Sequence, residues 1–92
     1  MNDKGVNTLN DRAILRNALR GRQMTQLTLS DRMNMKQSAL SQNMTRPRMS
    51  LGMFAKILDA LNYDVLIVDR ESGEAAWKLE VERPLSEYED DI

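Results

Sequence analysis

Four helix-breaking residues set the architecture of the first two thirds of the chain. Gly21, Asn34, Pro47 and Asn62 interrupt an otherwise helix-favouring sequence, so no helix here exceeds a few turns. Short helices are held mainly by packing their apolar faces together. The spacing therefore predicts four helices folded around a shared core.

The first helix is predicted over residues 8–20. Thr8 followed three later by Asp11 fits a loose capping box, and Ile14, Leu15, Ala18 and Leu19 give the apolar stripe. Gly21 is read as a left-handed stop. The second helix starts from Thr25 as N-cap and runs through "QLTLSDRM", with Leu29 and Met33 inward. Asn34 takes the sharp turn that follows, since Asn tolerates positive φ better than most residues. The third helix starts near Lys36 or Gln37 and turns Leu40 and Met44 inward, with Ala39 small enough to lie beneath a crossing helix. "TRPRM" ends it at Pro47. Ser50 caps the fourth, "LGMFAKILDAL", and Asn62 is its C′ residue. Two adjoining stripes, Leu51, Phe54, Leu58 and Leu61 beside Met53, Ile57 and Ala60, imply burial on two sides. The six methionines between residues 24 and 53 are read as core filler.

After Asn62 the period changes. "YDVLIVD" and "AAWKLEV" flank "RESG", which predicts a β-hairpin with a left-handed Gly73 in its turn. With Arg70 opposite Glu74, Ile67 faces Trp77, Val65 faces Leu79 and Tyr63 faces Val81, all on one face. The other face carries Leu66, Val68 and Ala76, so neither face is fully polar. Trp77 is read as a hairpin-core or interface residue. The organisation expected is a helical unit over 1–62, a hairpin over 63–82 and an acidic flexible tail over 83–92.

A net charge of −1 conceals a division along the chain. Residues 1–62 hold ten Lys and Arg against four acidic residues, a net of +6, while residues 63–92 hold three against ten, a net of −7. A basic half of this kind suits a polyanion. With no cysteine and no histidine, disulfides, thiolate metal sites and most nucleophile–base pairs are excluded, so the chain is not expected to be an enzyme or to hold a metal or cofactor. No segment approaches the roughly 20 apolar residues of a membrane span, and a cytoplasmic location is expected.

Two short helices joined by a tight turn form a helix-turn-helix arrangement. "TQLTLSDRMNMKQSALSQ" resembles the Xre/Cro-type helix-turn-helix of phage and bacterial repressors. Thr25, Gln26, Leu29, Leu40 and Ser41 match that pattern directly. Ser30 stands for the usual small Ala, Asn34 for Gly, Met35 for a β-branched residue and Lys36 for the usual N-cap. The likeness covers about residues 8 to 81, including a C-terminal hairpin found in a subgroup. One departure is Asn43, where many members carry a second apolar residue, so Met44 has to supply that inward contact. The resemblance implies a mainly α fold, a four- to five-helix repressor-like domain followed by a β-hairpin.

It also implies double-stranded DNA as the partner and regulation of transcription, with repression as the family's usual sign, on an inverted repeat bound by a homodimer. Gln37, Ser38, Ser41 and Gln42 then correspond to base-reading positions. Their chemistry suits that role: an amide offers donor and acceptor together, matching the N6/N7 edge of adenine, and hydroxyls serve either way. Gln26 corresponds to a phosphate-holding residue that braces Gln37. Lys36, Thr45, Arg46 and Arg48 are assigned to the phosphate backbone, where contacts position without reading sequence. Arg12, Arg16 and Arg20, four apart, are read as a solvated face with at most long-range attraction. Leu66, Val68, Ala76 and Trp77 are the expected dimer contact, with the extra stripe of the fourth helix as the alternative. A second role is also open. The acidic C-terminal region suits a protein partner, as in an antitoxin or a phage anti-defence protein.

Overall fold

The computed structural model describes residues 8–81. Within them lie α1 (Asp11–Gly21), α2 (Gln26–Arg32), α3 (Gln37–Thr45), α4 (Leu51–Ala60), β1 (Leu66–Val68) and β2 (Ala75–Lys78). The molecule is mainly helical, with one antiparallel hairpin. The expected acidic tail, 83–92, lies outside the described residues. No helix among them is long and apolar enough to cross a membrane.

Capping chemistry fixes the helix starts. Thr25 and Ser50 accept bonds from the N–H groups of Thr28 and Met53, as expected. In α1 the cap is Asn10, not Thr8: its side chain accepts from Ala13 N–H at 2.9 Å. Asn is at least as good an N-cap as Thr, and its position two residues later removes the predicted first half-turn. Lys36 caps α3 with backbone only.

Three helices end in one motif. Gln23, Asn34 and Asn62 have φ of 53, 60 and 69°. Each sits at C′, with paired bonds closing the last turn, such as Asn34 N–H to Asp31 and Met35 N–H to Ser30. Gly21 is therefore not the left-handed residue; it is the last residue of α1. Its value is space, since a Cβ there would meet the Tyr63 hydroxyl at 3.3 Å. Gln23, with a full side chain in the left-handed region, carries the strain instead. Gln23→Gly is expected to stabilise the protein by about 0.5–1 kcal/mol, read as a higher urea midpoint at unchanged slope.

The core joins all four helices. Leu15, Ala18 and Leu19 meet Leu29, Leu40, Met44, Ile57, Leu58 and Leu61. Five of the six central methionines (24, 33, 35, 49 and 53) pack round its rim, and Met44 lies inside. Ser30 is buried too, its hydroxyl donating to the Leu27 carbonyl at 2.7 Å, so no unpaired group is left in the core. In α4 the predicted stripe fails at its first residue. Leu51, in the first turn, remains 61% exposed, while Ala55, one turn further along, is buried.

Two arginines fasten the end of α4. Arg22 donates from Nε to the Leu61 carbonyl at 2.9 Å and from Nη2 to the Asn62 carbonyl at 3.1 Å, and its guanidinium lies 4.0 Å from the Tyr63 ring centre. Arg32 donates to the Ala60 carbonyl at 3.2 Å. Cations at a helix C-terminus meet the unpaired carbonyls and the negative end of the dipole.

The hairpin register matches the expectation at its base and departs at its tip. Ile67 pairs with Trp77, and Leu79 N–H donates to Val65 at 2.8 Å. A bulge then brings Val68 opposite Ala75 and Asp69 opposite Glu74, so Arg70 does not face Glu74. The extra residue, Ala76, lies on β2 and lets a five-residue turn close, with Gly73 at φ 76° and its N–H on the Asp69 carbonyl. Trp77 does not form a hairpin core. It is 71% exposed, because the hairpin stands off the helices and only Val65 at its foot packs on the core.

Candidate nucleic-acid interface

The short α3 owes its placement to two inward side chains. Leu40 is fully buried and Met44 nearly so, which supplies the contact that Asn43 does not. Asn43 instead donates to the Ala39 carbonyl at 2.9 Å, so its amide is satisfied within its own helix. The tight turn at Asn34 holds α2 and α3 against each other.

With Leu40 and Met44 turned in, Gln37, Ser38 and Gln42 are exposed and Ser41 is half-buried. Among the described residues, the side chains of Gln37, Ser38 and Gln42 have no hydrogen-bond partner. The result is an uncharged row of donors and acceptors open to an outside ligand. Gln26 is half-buried at the start of α2, but no hydrogen bond joins it to Gln37, so the brace implied by the resemblance is not formed here.

No family model, curated protein or solved structure matches the chain. The functional reading therefore rests on its own chemistry.

Lys36, Arg46 and Arg48 are exposed around α3, Lys36 before its first turn and the two arginines after its last. None has an ion-pair partner among the described residues. Thr45 is differently disposed. Its hydroxyl donates back to the Ser41 and Gln42 carbonyls at 3.0 and 3.2 Å, so its proton points away from any external anion.

The solvated reading of Arg12 and Arg16 changes most. Both are exposed, but they also line a cleft of about 160 Å³ whose other walls are Gln26, Met44 and Thr45. Arg20, one turn further along the same stripe, does not line it. The four-residue spacing of Arg12 and Arg16 was visible in the sequence; the cleft was not, because it forms only where three helices converge.

Proposed function

We propose that this protein is a sequence-specific DNA-binding regulator that places α3 in the major groove and acts as a homodimer on an inverted repeat. One observation carries the proposal: α3 is anchored by Leu40 and Met44 while Gln37 at its first position, and Ser38 and Gln42 on its outer side, are exposed, uncharged and unpaired among the described residues. An ordinary solvated helix face carries charges, whereas a groove-reading face favours amides and hydroxyls among flanking cations. Lys36, Arg46 and Arg48 supply those cations. Repression, rather than activation, comes from the family resemblance.

The hairpin supports the dimer. A lone two-stranded hairpin is marginal in water, and this one exposes Leu66, Ile67, Val68 and Trp77. The rival surface, the second stripe of α4, is largely used up, since Ile57 lies in the core and Met53 and Ala60 pack against it.

Selection from a random duplex library is the test. Wild-type protein is expected to enrich a short inverted repeat. Gln37→Ala or Gln42→Ala is expected to lose about 1–3 kcal/mol of discrimination at particular base pairs, whereas Arg46→Ala or Arg48→Ala weakens every sequence alike. Absence of any enriched sequence at low salt rules the proposal out.

A further inference from the structure

We propose that the cleft between α1, the start of α2 and the end of α3 is a seat for one backbone phosphate of the duplex, held by Arg12, Arg16 and Gln26. The proposal rests on the DNA-binding reading and adds residues that reading had left to bulk solvent. Arg12 and Arg16 stand one helical turn apart, so their guanidinium groups reach the same mouth from one side. Neither has an ion-pair partner among the described residues. Gln26 closes the opposite wall with an amide that also lacks a partner there. Met44 forms an apolar floor, largely shielded from water, which strengthens the attraction for an anion above it.

The surroundings select a phosphodiester over a small free anion. Arg12 and Arg16 are exposed, and the cleft is partly open to solvent. Thr45, in its wall, is followed directly by Arg46 and lies one turn from Ser41 and Gln42. A phosphate seated in the cleft is therefore adjacent to a strand whose neighbouring bases face α3. Such a contact would fix register without reading sequence. Because Thr45 directs its proton to Ser41 and Gln42, it shapes the wall and does not donate.

The test uses the full chain and the duplex selected above. Arg12→Gln/Arg16→Gln is compared with Arg20→Gln, which removes charge from the same helix but outside the cleft. The double variant is expected to bind about tenfold to a hundredfold more weakly, and equally so on all sequences. Its slope of log affinity against log salt is expected to be shallower by about one per half-site, as befits one shared phosphate. Arg20→Gln should change affinity only a few-fold. One uncharged methylphosphonate per half-site should reproduce the loss in wild type and add nothing in the double variant.

Equal effects of the double variant and Arg20→Gln on wild-type-like folded protein, judged by circular dichroism, would overturn the seat while leaving base reading by α3 intact. So would a methylphosphonate scan with no position that distinguishes wild type from the double variant. Retention of inorganic phosphate at micromolar concentration by the protein alone would reassign the cleft to small anions. Failure of wild type to bind any duplex removes both this assignment and the reading beneath it.

Discussion

Leu40→Ala is expected to cost about 2–5 kcal/mol, the range for a leucine removed from a packed core. Leu40 is completely buried and belongs to the one cluster that joins all four helices. In α3 only Met44 shares that inward duty, so the substitution removes most of what anchors the helix. A chain of this size has a total stability of roughly 5 to 10 kcal/mol, so much of the margin would go. Urea unfolding should show a lower midpoint at unchanged slope. Leu51→Ala supplies the contrast. Leu51 is 61% exposed, and its loss is expected to stay within about 0.5 kcal/mol. A Leu40→Ala change under about 1 kcal/mol would mean that the core does not hold α3 as described.

That contrast also shows where sequence reasoning reached and where it stopped. Local chemistry was legible. Thr25 and Ser50 had the right side chains to cap the N–H groups three residues on, and Asn34 and Asn62 had the right tolerance of positive φ. Alternation gave the hairpin register at its base, because pleat and pairing are set within a few residues. Competition between near-equal local options was harder. Asn10 displaced Thr8, and Gln23 displaced Gly21 as the left-handed residue because α1 runs on through Gly21, whose missing side chain lies close to Tyr63, forty-two positions away in sequence. Long-range assignments were out of reach. Arg22 and Arg32 looked like part of the basic field, but they bond to carbonyls at the end of α4, across 39 and 28 residues. Ser38 and Gln42 were legible because helical period puts them opposite Leu40 and Met44, whereas Gln37 falls nearer the inward side and is exposed at the first position of α3. The cleft of Arg12, Arg16 and Gln26 was not legible, because period says nothing about which helices converge.

Ile67→Lys is expected to make the protein monomeric and to weaken binding to a full inverted repeat by about 10²- to 10⁴-fold, with little change on an isolated half-site. The reason lies in which strand edge is open. Val65 and Asp69 bond to Leu79 and Glu74, the residues on either side of β2, so the alternation of an antiparallel pair turns the main-chain groups of Leu66 and Val68 to the free edge of β1. The free edge of β2 is interrupted by its bulge, which blunts pairing, so β1 is the edge suited to a second copy. Hydrogen bonding requires outward residues to face outward residues. In the proposed dimer, Leu66 of each copy opposite Val68 of the other would meet that requirement and bring Asp64 toward Arg70 across a two-fold axis. Ile67 then faces itself, flanked by the two Trp77 rings. A lysine at that position sets like charges directly opposite each other, which destabilises a strand pair. In the monomer it replaces a side chain already 48% exposed, so folding should be preserved. Leu66→Pro gives an independent check, because it deletes an outward N–H and spares the bonds between β1 and β2. Sedimentation at micromolar concentration should show both variants as monomers and wild type as a dimer. A dimeric Ile67→Lys protein would place the interface elsewhere, and a monomeric wild type that binds the full repeat no better than half of it would remove the dimer from the mechanism.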